Sequence, residues 1–151
     1  MTGEKDLARS IGIDLGLRRV GVSVSDAMDL LAHPLCVLEY AGQDRLVRDL
    51  VRLAESEGAG TFVVGVPRNM DGTAGEGARR SVRFARKLER ESGLRVVLCD
   101  ERLTTSQAEK EMIALGRSRK RRRMSIDEAA AVLILESYLR QKKLATEGEG
   151  Q

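Results

Sequence analysis

Residues 9–26 read RSIGIDLGLRRVGVSVSD, and the alternation within this stretch decides the fold. Successive side chains of a strand face opposite ways, so Ile11, Ile13 and Leu15 share one face while Gly12, Asp14 and Gly16 share the other. The runs 9–16 (RSIGIDLG), 19–26 (RVGVSVSD) and 33–40 (HPLCVLEY) are short, rich in Ile and Val, and joined by brief polar or Gly-containing turns. Three consecutive strands with such short links predict an antiparallel meander.

Moving outward, Leu46, Val47, Leu50, Val51, Leu53 and Ala54 recur at helical spacing, and Gly58 and Gly60 end the run, which predicts a helix over 44–57. The continuous apolar run 61–67 (TFVVGVP) predicts a strand buried on both faces. Thr73 and Glu76 have the spacing of a capping box, predicting a second helix through Val82, Ala85 and Leu88, followed by a strand over 94–101 (LRVVLCDE). Two further capping signatures, Thr104 to Gln107 and Ser125 to Glu128, predict that two helices close the chain. Strands linked through helices are usually parallel with a right-handed crossover. The expected fold class is therefore α/β, a mixed five-stranded sheet of three antiparallel strands and then two parallel ones, flanked by helices.

Composition narrows the function. A chain of 151 residues, 42% hydrophobic and 32% charged, fits one domain with one sizeable core over about 9–143 and a polar C-terminal tail. No apolar run approaches the roughly 20 residues that span a bilayer, and residues 1–10 lack the apolar stretch of a secretory signal, so a cytoplasmic protein without membrane contact is expected. Cys36 and Cys99 each sit inside an apolar strand-like run and read as inert core thiols. The single histidine, His33, precedes Pro34 in a turn and reads as structural, so no Ser-His-Asp or Cys-His scheme competes well, and two separated cysteines make a poor zinc site.

Three acids stand out. Asp14 sits among apolar neighbours, where a carboxylate is costly unless paired or bound to a cation, and its flanking glycines leave room for another backbone or a ligand. Asp100 and Glu101 end the last strand, at the edge where open α/β sheets present ligands. Adjacent strand residues face opposite ways, so one of the two at most shares the face of Asp14; Glu101 is favoured and Asp100 is the fallback. Asp127 shares a helical face with Ala130, Ala131, Ile134 and Tyr138, whose small alanines let the helix sit close to the sheet. Each acid also has a plain structural reading: a salt-bridged strand end for Asp14, caps or ion pairs for Asp100 and Glu101, and for Asp127 a favourable helix-dipole position contributing about 0.3–1 kcal/mol. Together they have the chemistry of a hard-cation site, because Mg²⁺ prefers carboxylate oxygen and binds protein acids and substrate phosphates jointly.

Net charge is only +3, but residues 117–123 read RSRKRRR, six cations in seven. Arg117, Arg119, Lys120, Arg121, Arg122 and Arg123 repel one another, and phosphate neutralisation is their natural use. The segment 67–73 (PRNMDGT) follows a buried strand and opens a helix, offering Arg68, Asn69 and backbone N–H groups to a phosphate, while Asp71-Gly72 is equally good turn chemistry.

Four stretches in order resemble the YqgF family of Holliday-junction-resolvase-like proteins, described as nucleases for 16S ribosomal RNA precursors. They are GIDLGLRRVGVSVSD at 12–26, VVGVPRNMDGT at 63–73, DERLTTSQAE at 100–109 and IDEAAAVLILESYL at 126–139. The resemblance covers about residues 10 to 140 and implies an RNase H-like fold and acidic metal ligands at the matching positions Asp14, Glu101 and Asp127. Leu15 and Leu17 depart from it, since members usually carry Tyr or Phe and Thr there. The resulting expectation is a Mg²⁺- or Mn²⁺-dependent endonuclease on structured nucleic acid, acting on precursor rRNA. Resolution of four-way DNA and a non-catalytic RNA-binding role in ribosome assembly are the alternatives. Nucleotide phosphotransfer, which GIDLG also suggests, would need a second lobe that one domain of this length does not supply.

Overall fold

Why the strands hold together is visible in their register. The computed structural model describes residues 9–69, 71–101 and 125–149. Strands β1 (Arg9–Leu15), β2 (Arg19–Ser25) and β3 (Ala32–Glu39) form the antiparallel meander. Helix α1 (Gln43–Glu57) leads to β4 (Ala59–Val66), helix α2 (Glu76–Ser92) to β5 (Arg95–Asp100), and helix α3 (Ile126–Glu149) follows. The strand order is β3-β2-β1-β4-β5, with β4 parallel to both β1 and β5. The helix expected after Thr104 and the basic run 117–123 lie outside the described residues.

Alternation sends two different sets of side chains to the two faces. Ile11, Ile13, Val20, Val22, Phe62 and Val64 are buried beneath α1 and α2, where Leu46, Leu50, Phe84 and Leu88 complete one apolar cluster. On the other face Val63, Cys99 and Ala32 pack with Ala129, Val132, Ile134 and Leu135 of α3. Helix α1 ends as the glycines foretell: Gly58 adopts a left-handed conformation (φ 69°) and its N–H donates to the Ala54 carbonyl.

Two caps contrast. At α3, Ser125 and Glu128 form the reciprocal box, with Glu128 N donating to Ser125 Oγ at 3.1 Å and Ser125 N to Glu128 Oε1 at 3.2 Å. At α2 the Thr73 box does not form. Its hydroxyl donates to Asp71 Oδ1 at 2.7 Å and accepts from Asn69 Nδ2 at 2.9 Å, so a tight turn takes the group, and the helix begins after Gly75 without a side-chain cap. No helix among the described residues is long and apolar enough to cross a membrane.

Candidate active site

The meander pairs Asp14 with Gly21, and directly opposed residues of an antiparallel pair present their side chains to the same face. That face belongs to α3: a methyl group placed on Gly21 would overlap the Asp127 carbonyl oxygen. Only a residue without a side chain admits the first turn of α3 so close to β2. The hydroxyl of Ser23, two residues on, donates to the Ala131 carbonyl at 2.7 Å and fixes the next turn of the helix.

The parallel neighbour repeats the arrangement. Val64 is the partner of Ile13, so Gly65 follows Val64 as Asp14 follows Ile13. A methyl group on Gly65 would overlap the Ile134 side chain and lie 3.1 Å from Glu101 Oε2. Across β2, β1 and β4 the sheet thus presents glycine, aspartate, glycine in a row, with the Asp127 backbone over the first glycine and the Glu101 carboxylate over the second.

Asp100 goes elsewhere. It pairs with Val66, one residue out of phase with Gly65, and its Oδ2 lies 3.6 Å from Arg68 Nε. Glu101, and not Asp100, therefore shares the face of Asp14. The carboxylates do not close on one point: Asp127 Oδ2 lies 3.3 Å from Arg19 Nε, and among the described residues no three His, Cys, Asp or Glu side chains form a metal-holding group. Arg19 is two-thirds exposed, so this pair is of the weakly stabilising, solvent-screened kind.

The substrate-contact candidates divide as well. Arg68 is exposed and turned toward Asp100, whereas the Asn69 amide donates to Thr73 Oγ1 and its backbone N–H to the Thr73 carbonyl at 3.0 Å, which closes the 69–73 turn. Arg117, Arg119, Lys120, Arg121, Arg122 and Arg123 lie outside the described residues. Both cysteines are free thiols, and burial pushes each of them up from the ordinary thiol value, which keeps them protonated and unreactive.

Two residues that sequence reasoning passed over bear on the site. Arg80 reaches from α2 to the end of β1, where it donates to the Leu15 carbonyl at 3.3 Å and the Gly16 carbonyl at 3.0 Å while its guanidinium lies 4.9 Å from the centre of the Tyr40 ring. It ties down the chain immediately after Asp14. Arg19, already described, faces Asp127. Neither has a sequence signal of its own, because an arginine among 26 Lys and Arg residues declares nothing until its partner is known.

The sheet order, the meander followed by parallel strands, and the row of acids over glycines at one sheet end define the RNase H-like class. Solved structures agree on the fold. T. thermophilus RuvC in complex with Holliday junction substrate superposes with a TM-score of 0.63 at 16% identity, covering 92% of this chain and 97% of that one. Fowlpox virus resolvase with Holliday junction DNA gives 0.55 at 10% identity, covering 89% and 98%.

The chain belongs to the RuvX family, described as Holliday junction resolvase, which matches residues 8–141. A relative from Geobacillus kaustophilus, named "Putative pre-16S rRNA nuclease", is 45% identical over 137 residues, covering 89% of this chain and 99% of that protein. One of the same name from Shouchella clausii is 41% identical over 133 residues, covering 87% and 94%.

Proposed function

We propose that this chain is a metal-dependent endonuclease that hydrolyses phosphodiester bonds of structured nucleic acid, with the 16S rRNA precursor as its substrate and the cytoplasm as its compartment. The reading is carried by the row Gly21, Asp14, Gly65, whose glycines let the Asp127 backbone and the Glu101 carboxylate come to the two sides of a strand-borne carboxylate. Three carboxylates with only oxygen to offer suit Mg²⁺ or Mn²⁺. Asp14, Glu101 and Asp127 are the residues that would hold it. When bound, a divalent ion of this kind lowers the pKa of water and neutralises the charge that develops on the phosphate.

The chain's own residues do the rest. Asp14 is anchored on the central strand between two hydrogen-bonded neighbours, and Arg80 fixes the backbone that follows it, so its carboxylate is the rigid member of the set. Asp127 has its carboxylate against Arg19, so a cation held there would compete with the guanidinium for it. Phosphates of the substrate then take Arg19, Arg68 and the cations of 117–123, while Asn69 keeps its turn in shape for Arg68.

The test offers precursor rRNA and a four-way DNA junction side by side, with Mg²⁺ or Mn²⁺, to wild type and to Asp14→Asn. The expected result is cleavage of the RNA that falls at least about 100-fold in Asp14→Asn while RNA retention on filters persists, since even residues behind a metal ligand cost up to that much. The family's resolvase description favours a second reading, in which the junction is cut and the RNA is not. Equal residual cleavage by wild type and Asp14→Asn would sink both and leave an RNA-binding role.

A further inference from the structure

The 117–123 run is not the chain's only concentration of cations. Along α2, Arg79, Arg83 and Arg86 are spaced by four and then three residues, which puts them on one face of the helix, and all three are exposed. With Arg68 they line a groove of about 290 Å³ whose floor is formed by Ala78 and Val82. Small apolar residues between long cationic ones make a shallow trough with charged walls, which a sugar-phosphate chain can enter and a flat salt-bridged surface cannot offer.

The charges in this trough are only partly neutralised. Glu76 serves two arginines, at 2.9 Å from Arg83 and 3.9 Å from Arg79, and is itself 73% exposed. Among the described residues no carboxylate lies within ion-pair distance of Arg86. Exposed pairs of this kind contribute little and exchange readily for a stronger anion.

Position gives the trough its meaning. Arg68 belongs both to the groove and to the end of the sheet, where it pairs with Asp100, the residue before Glu101. The groove therefore starts beside the acid-bearing edge and runs along α2, on the sheet face opposite to α3. From Arg79 to Arg86 the helix advances about 10 Å, the reach of a short stretch of sugar-phosphate backbone.

We infer that the Arg68, Arg79, Arg83 and Arg86 groove is a second phosphodiester-binding track, which holds the nucleic-acid strand leaving the acidic edge. The inference rests on the nuclease reading and adds to it the path of the substrate. Its ligand is the backbone rather than the bases, so it serves affinity and placement without regard to sequence.

The experiment compares full-length wild type, Arg83→Gln/Arg86→Gln, and Arg48→Gln/Arg52→Gln, in which an equal charge is removed from exposed positions of α1. Binding of a structured precursor-rRNA fragment is followed by fluorescence anisotropy from 50 to 300 mM salt, with thermal unfolding to verify that all three fold. Arg83→Gln/Arg86→Gln should bind about tenfold more weakly at low salt, and the log–log salt slope should drop by roughly 1.4 to 1.8, two phosphate contacts' worth. Arg48→Gln/Arg52→Gln should stay within about twofold of wild type, as expected for remote surface charge. Equal weakening by both pairs, or an unchanged slope in Arg83→Gln/Arg86→Gln, overturns the track while the nuclease reading stands. Wild type that binds no nucleic acid overturns both, and failure of the Asp14→Asn test with the slope change intact removes the chemistry but keeps the groove.

Discussion

The two faces of the sheet are cut from the same strands and follow opposite rules. Beneath α1 and α2, β1 and β2 present Ile11, Ile13, Val20 and Val22, all fully buried. Beneath α3 the same strands present Gly12, Asp14, Gly21 and Ser23, and the helix answers with Ala129, Ala130 and Ala131. Bulk on the first face excludes water and holds the fold together. Its absence on the second lets one backbone come against another, which is how a helix-borne carboxylate is brought to a strand-borne one. Of the two faces of β1 and β2, one is given wholly to apolar packing and the other carries the candidate acid.

Substitutions that tax one face and spare the other can break this contrast. The largest effect on stability is expected from Phe84→Ala, which hollows the α1/α2 side and should cost about 3–5 kcal/mol in urea unfolding while leaving cleavage per folded molecule near wild type. If activity fell as steeply as stability, the division between faces would be wrong. Gly21→Ala should cost less, about 1–3 kcal/mol, because the obstacle is a backbone carbonyl that moves only with the helix. Its cleavage loss should exceed that of Phe84→Ala all the same, since the displaced turn carries Asp127. Gly65→Ala is the milder partner, for what it meets first is the flexible end of Ile134. The smallest change is Ser125→Ala, which removes one half of the α3 cap at about 1 kcal/mol and should loosen the turn bearing Asp127, read as faster amide exchange there than in α2.

Much of this was legible in the residues because both faces write their rules in period two. The alternation of Ile11 and Ile13 with Gly12 and Asp14 shows one large and one small face before any coordinates, and the Ser125 to Glu128 box marks where α3 begins. Alternation likewise says that at most one of Asp100 and Glu101 shares the face of Asp14, and the pairing of Asp100 with Val66 puts Asp100 out of phase with Gly65. What failed was local competition. Thr73 has the spacing of a cap, yet Asn69 and Asp71 lie within reach and close a turn around its hydroxyl. Distances also escape a sequence: nothing in the order of residues says that Arg19 faces Asp127, or that the acids stop short of a closed group. The α2 arginines are a different case. Their four-and-three spacing is plain in the sequence, but only the folded chain sets Arg68 beside them and makes a groove of the four.

One hydrogen bond described above carries a consequence for when the protein becomes competent. Ser23 and Ala131 are 108 positions apart, and the helix they fasten bears Asp127. Synthesis runs from the N-terminus, so β1 and β2 leave the ribosome well before α3 does. During translation Asp14 therefore cannot have Asp127 beside it until α3 has emerged. Two carboxylates made so far apart in time become neighbours only when α3 docks, so the order of synthesis itself delays completion of the edge that carries them.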